Sequence, residues 1–146
     1  MEWIEALRGS TVGLDTGPLI YYIEEHAAFL AKVKPFFEAA DRNEFRIVTS
    51  FVTLIEVLIR PLREGRPELA EEYRNILLQS SALTAIALDE GIAEEAAELR
   101  ARHNLRTPDA IQLATAIRSG ASWFLTNDSA LANLIEIPVL VLKQLP

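Results

Sequence analysis

Short β-rich runs alternate with longer helical stretches along this chain, and few folds accommodate that pattern. Thr11-Val-Gly-Leu-Asp15, Arg46-Ile-Val-Thr-Ser50, Leu83 to Leu88, Trp123-Phe-Leu-Thr126 and Pro138-Val-Leu-Val-Leu142 read as strands. Between them the spacing predicts helices. One follows Gly17-Pro18 through Leu19, Ile20, Tyr22 and Ile23. Another runs from about Ala27 to Ala40, with Pro35 as a kink or break. Further helices are expected from Phe51 to Arg60, from Pro67 to Gln79, from Asp89 to His103, and from Thr107 to Arg118 with a stop at Gly120. Strands separated by helices require parallel crossovers and a sheet covered on both faces. The expectation is one α/β domain over residues 1–146: a three-layer sandwich of about five mainly parallel strands flanked by helices.

Composition narrows the chemistry. Half of the 146 residues are hydrophobic, enough for a core without staples, and there is no cysteine. Disulfides, thiol catalysis and cysteine-bearing zinc sites are thereby excluded. The two histidines, His26 and His103, lie far apart in sequence with no second ligand at helical spacing. The N-terminus is acidic and unlike a signal peptide, and no apolar run reaches the ~18 residues that cross a bilayer. A cytoplasmic protein with no membrane partner is expected. The net charge of −7 speaks against a simple nucleic-acid binder, which usually carries a basic excess.

In open parallel sheets, ligands gather outside the carboxyl ends of the strands. Asp15 ends the first strand and Asp128 closely follows the fourth. Asp15 also reads as an Asx turn or helix cap, and Asp128 as a cap for a short helix through Leu131 and Leu134. Glu56 interrupts the apolar helix Phe51-Val-Thr-Leu-Ile-Glu-Val-Leu-Ile59; it is either a site residue or the partner of Arg60, four residues on. Asp109 follows Thr107-Pro108, a pattern that also describes an ordinary helix start with Thr as the cap.

The set says more than its members. Two unit charges ~4 Å apart repel by about 4 kcal/mol at an effective dielectric of 20, so four converging carboxylates need a cation. Oxygen-only donors select a hard ion, Mg²⁺ or Mn²⁺, rather than zinc. Such ions activate water against phosphodiesters.

Four segments, in order, resemble the PIN-domain ribonucleases, particularly the toxins of VapBC-type toxin–antitoxin pairs. They are Leu14-Asp-Thr-Gly-Pro-Leu-Ile-Tyr-Tyr-Ile-Glu24, Thr49-Ser-Phe-Val-Thr-Leu-Ile-Glu-Val57, Thr107-Pro-Asp-Ala-Ile-Gln-Leu-Ala-Thr-Ala116 and Phe124-Leu-Thr-Asn-Asp128. The resemblance implies a PIN-like, Rossmann-like fold that cuts single-stranded RNA with Mg²⁺ or Mn²⁺. It makes Asp15, Glu56, Asp109 and Asp128 the metal-binding acids, supported by Thr16 and Asn127 and less directly by Thr126. It also implies a homodimer, and an antitoxin whose tail lies over the acidic pocket, sometimes offering an arginine. Gly17 departs from the family, which often has Asn there.

The helices from Phe51 to Arg60 and from Pro67 to Gln79 are either partner contacts or ordinary core. Arg60, Arg63, Arg66 and Arg106 are either phosphate contacts or solvated surface. A phosphatase of the haloacid dehalogenase type needs a second Asp where Gly17 stands. A non-catalytic PIN scaffold that binds an arginine-bearing partner is the other alternative.

Overall fold

Thr11-Val-Gly-Leu forms the central strand because its residues alternate between two faces that are both covered: Val12 and Leu14 point into one core, and Gly13 lies against a helix on the other side. The computed structural model describes all 146 residues. After a short N-terminal helix α1 (Glu2–Glu5), the chain runs β1 (Thr11–Leu14), α2 (Thr16–Ile23), α3 (Leu30–Asp41), β2 (Arg46–Ser50), α4 (Phe51–Arg63), α5 (Pro67–Leu78) and β3 (Leu83–Ile86). It continues with α6 (Glu90–Arg102), α7 (Thr107–Arg118), β4 (Trp123–Thr126) and β5 (Val139–Val141).

The five strands form one sheet in the order β3-β2-β1-β4-β5, with every pair parallel. Successive crossovers carry the chain outward from β1 to β2 and β3. It then returns to the opposite side of β1 as β4. The order therefore reverses between β1 and β4, and the carboxyl ends of those two strands flank a crevice.

Two apolar clusters sandwich the sheet. The larger, of 19 buried residues, packs Trp3, Phe36, Phe37, Tyr73 and Leu77 against Val12, Leu14, Ile47 and Leu125. The smaller, of 11 residues, packs Ile92, Leu99, Leu113 and Ala116 against Phe124. Neighbouring Phe124 and Leu125 thus serve opposite cores, as strand alternation requires.

Several boundaries differ from the sequence reading. The second helix begins at Leu30 rather than Ala27, and it continues through Pro35. That proline is the sixth helical residue, so it costs the helix only the bond to Ala31. Helix α4 likewise passes Pro61 and ends at Arg63, three residues later than expected. Strand β3 stops at Ile86, and the segment after Asp128 forms only a 3₁₀ turn, Ser129–Leu131. Arg106, not Thr107, is the N-cap of α7, and Pro108 takes the second helical position.

Candidate active site

Asp15 emerges directly from β1 and caps α2. Its Oδ1 accepts from the Thr16 amide at 2.8 Å, and its Oδ2 accepts from Thr126 Oγ1 at 2.7 Å. Thr126, wholly buried at the end of β4, also accepts from the Asp128 amide at 3.0 Å. One threonine thus ties the two strand ends together.

Asp128 Oδ1 in turn accepts from the Ala130 amide at 2.9 Å. The expected cap is therefore present. It spends one carboxylate oxygen and leaves Oδ2 without a protein donor.

Glu56 stands on the second turn of α4, which starts where β2 ends. Ser50 caps that helix by accepting from the Val52 amide. Glu56 Oε1 accepts from Thr16 Oγ1 at 2.7 Å across 40 residues of sequence. The alternative ion pair with Arg60 does not form: Arg60 turns to Glu24 and Glu64 instead. Nor is Glu56 buried in an apolar helix, because α4 leaves Phe51, Ile55, Ile59 and Leu62 exposed along one side.

Asp109, in the first turn of α7, accepts from Arg106 Nε at 3.2 Å. That guanidinium is 76% exposed, so it lies over the site rather than inside it.

All four acids line one cleft of about 420 Å³ at the reversal between β1 and β4, together with Thr16, Tyr21, Arg106, Asn127 and Lys143. Asn127 holds two parts of this rim. Its Nδ2 donates to the Tyr21 hydroxyl at 3.2 Å, and its Oδ1 accepts from the Lys143 amide at 2.9 Å. A larger groove of about 980 Å³ between α2 and α5 contains none of the four.

Burial pushes the Asp15 carboxyl above the ordinary aspartate range. The bonds from Thr126 and Thr16 work against this, and the negative charges of Asp109 and Glu56 add to it. The acids therefore sense one another, yet no three of them are gathered into a ready-made metal cluster. The tight convergence expected from the sequence is, in this conformation, a shared cleft.

Sequence reasoning overlooked Gln112, Tyr21 and Lys143. Gln112 was the most visible of these: it interrupts the apolar run Ala110-Ile-Gln-Leu-Ala114 and is only 3% exposed. A buried amide in such a run needs polar partners, and those partners lie beneath the cleft.

The fold is similar to that of several toxin–antitoxin structures. The VapBC2 complex of Rickettsia felis, bound to a promoter DNA fragment, aligns at a TM-score of 0.69 with 18% identity, over 89% of this chain and 97% of its counterpart. A toxin–antitoxin complex from Klebsiella pneumoniae aligns at 0.66 with 25% identity, over 90% and 96%. VapC20 of Mycobacterium tuberculosis, a toxin that cleaves the sarcin–ricin loop, aligns at 0.67 with 18% identity, over 88% and 99%. No curated protein sequence matches significantly. The PIN domain family matches residues 12–136, a span that contains all four acids and every strand pairing between β1 and β4. With that match and a parallel sheet of the same architecture, the chain belongs to the PIN-domain family.

Proposed function

We propose that this protein is a metal-dependent endoribonuclease that cleaves single-stranded RNA, and that it is the toxin of a toxin–antitoxin pair. The observation that carries this reading is the meeting of Asp15, Glu56, Asp109 and Asp128 in one cleft at the sheet's reversal point. They come from four separate elements.

The donor set fits a hard divalent cation. Every candidate ligand is a carboxylate, and Glu56 Oε2, Asp109 Oδ1 and Asp128 Oδ2 have no protein donor. Mg²⁺ or Mn²⁺ would be held by the four acids, and when bound it would supply the charge that makes water a competent nucleophile toward phosphorus. The chain's own groups do the rest. Thr16 and Thr126 fix the Asp15 and Glu56 carboxylates, and Asn127 holds the rim beside Asp128. Arg106 and Lys143, both at the mouth, face the phosphates of an incoming strand. These two cations give an acidic protein a local surface for RNA.

Partner binding is part of the reading. The exposed stripe Phe51, Ile55, Ile59 and Leu62 on α4 is an apolar surface of the kind that marks association, and we assign it to a homodimer. An antitoxin is inferred from the similarity to toxin–antitoxin complexes. No helix is long and apolar enough to cross a membrane, and a cytoplasmic location goes with this role.

One observation favours a second reading. Arg106 pairs with Asp109 at the mouth of the cleft, so at least one of the four acids takes a guanidinium, as a non-catalytic scaffold for an arginine-bearing partner would. The test is cleavage of a single-stranded RNA by purified, partner-free protein. Cutting with Mg²⁺ or Mn²⁺ that stops in EDTA, and in Asp15→Asn and Asp109→Asn proteins of unchanged circular dichroism, is the expected result. Cleavage that persists in EDTA or in both variants would overturn the metal mechanism; no cleavage under any condition would favour the scaffold.

A further inference from the structure

Beneath the cleft lies a closed set of polar side chains inside an otherwise apolar core. Thr16, Thr49, Ser50, Thr53 and Gln112 are each 9% exposed or less, and they belong to α2, β2, α4 and α7. Burying so many polar groups together is costly unless each is satisfied. Each of the five has at least one hydrogen-bond partner, and a single bond fixes the orientation of the Gln112 amide.

Gln112 Oε1 accepts from the Ser50 amide at 3.3 Å. A backbone amide can only donate, so the side-chain amide cannot be reversed without setting donor against donor. Its nitrogen must therefore face the threonines. That nitrogen lies 2.5 Å from Thr53 Oγ1 and 3.2 Å from Thr16 Oγ1, and the two hydroxyls are themselves 3.0 Å apart.

Thr16, having accepted, sends its own proton to Glu56 Oε1, a carboxylate oxygen. Thr53 Oγ1 lies 3.0 Å from both Thr49 Oγ1 and Thr16 Oγ1, and Thr49 donates to the Leu14 carbonyl at 2.8 Å. Two branches thus leave Gln112. One ends on Glu56 and the other on the peptide just before Asp15. Gln112 itself lies three residues beyond Asp109 on α7, on the same side of that helix.

We propose that Gln112 is a positioning residue: it sets the separation of Glu56 and Asp15 by fixing Thr16, whose hydroxyl donates to Glu56 and whose amide donates to Asp15. This rests on the nuclease reading. Its function is to hold two carboxylates at the spacing a shared cation requires, and Gln112 touches neither RNA nor ion.

The test uses full-length protein, freed of any partner, with Mn²⁺ alone as the binding probe. In Gln112→Leu both donors are lost. In Gln112→Glu the shape is kept, but at most one donor is left for two threonines. Calorimetric titration should show Mn²⁺ affinity reduced by roughly tenfold or more in the leucine variant and by less in the glutamate variant. Cleavage should fall mainly in kcat, with KM for RNA within about twofold. If Gln112 acts through Thr16, then Gln112→Leu should cause no further loss of Mn²⁺ affinity in a Thr16→Val background, and Thr16→Ser should keep the wild-type value.

Wild-type Mn²⁺ affinity in both folded Gln112 variants, or additive losses in the double variant, would overturn the positioning role and leave the nuclease reading intact. A wild-type protein that neither binds Mn²⁺ nor cuts RNA would overturn both. Should Gln112→Leu fail to fold, the near-isosteric glutamate variant decides.

Discussion

Replacing Gly13 with alanine should disturb fold and site together, and the structure gives the scale. Gly13 is the residue of β1 that faces α7. A Cβ built there would stand 2.4 Å from Ala116 Cβ and 2.9 Å from Phe124 Cδ1. Carbon atoms pack at about 3.5–4.0 Å, so strand and helix must separate locally by roughly 1 Å. Overpacking of this kind costs typically about 1–3 kcal/mol. The upper end applies here, because two neighbours on two elements are struck at once and neither is the free end of a long side chain. For a chain of this size each kcal/mol lowers the melting temperature by roughly 3 °C, so Gly13→Ala should melt about 10 °C below wild type in calorimetry. Ala116→Gly is the matched second change. Alone it weakens α7 by about 1 kcal/mol through helix propensity. Combined with Gly13→Ala it removes the nearer clash, so the double variant should be more stable than the sum of the singles predicts by over about 1 kcal/mol. Since α7 carries Asp109 and Gln112, the single variant should also bind Mn²⁺ more weakly. A Gly13→Ala protein within about 0.5 kcal/mol of wild type, or an additive cycle, would refute the close-packing argument.

Further outcomes follow from the electrostatics and the surface. The Asp15 carboxyl is held above its ordinary value of 3.8, so its proton is bound more tightly in the folded chain. That contribution to stability is complete below the ordinary aspartate range and is lost as pH rises through the raised value. Without divalent ions, denaturant midpoints of Asp15→Asn should therefore fall less on going from acid to neutral pH than those of wild type; an equal fall would count against the burial argument. Glu136 is the opposite case: the bond from His103 at 2.8 Å, and beyond it the charge of Arg102, hold its carboxyl below 4.5. Its stabilisation is present above the ordinary glutamate range and is lost as pH falls through the lowered value, so Glu136→Gln should cost about 1 kcal/mol at neutral pH and almost nothing in acid. Finally, Ile55 and Ile59 are 63% and 47% exposed. Lysine at either position should leave folding within about 0.5 kcal/mol of wild type while shifting sedimentation toward the monomer, and unchanged self-association would remove α4 as the homodimer face.

The parts of the fold visible in the sequence were those fixed by local pattern. Strands β1 and β4 were legible because alternating apolar residues bounded by turn residues leave little choice, and Asp15 and Asp128 followed from their ends. Glu56 was legible as an odd residue, but its surroundings were not. A spacing of four residues puts Arg60 within reach, yet its guanidinium pairs with Glu64 and with Glu24 at the end of α2, while Thr16 reaches Glu56 from the start of α2, 40 positions earlier. Gln112 shows the same gap from the other side. Helical periodicity places it on the face of Asp109, but only the packing of α7 on β1 and β2 determines that this face is covered. Pro35 did not break α3, because the cost of a proline depends on which carbonyl loses its donor, a question of position within the helix rather than of residue type.

The four carboxylates are also held unequally, which bears on why they share a cleft without forming a cluster. Asp15 and Glu56 are joined through Thr16, which binds one by its amide and the other by its hydroxyl, and this half is braced from below by the buried chain from Gln112. Asp109 and Asp128 are different. One is bonded to the exposed Arg106, and the other to a backbone amide at the start of a single 3₁₀ turn. Four anions cannot be fixed at short range with no counter-charge. We read Asp15 and Glu56, whose partners are buried, as the more rigid pair, and Asp109 and Asp128, whose partners are an exposed guanidinium and a single 3₁₀ turn, as the more movable one, where repulsion is relieved. On the nuclease reading, loading with metal should then order the first turn of α7 and the 128–131 segment, releasing Arg106 from Asp109 to meet phosphate. Amide exchange would report it as slowing at those two places and little change along β1 and α4; protection spread evenly over the fold would mean that the rigid and movable halves do not exist.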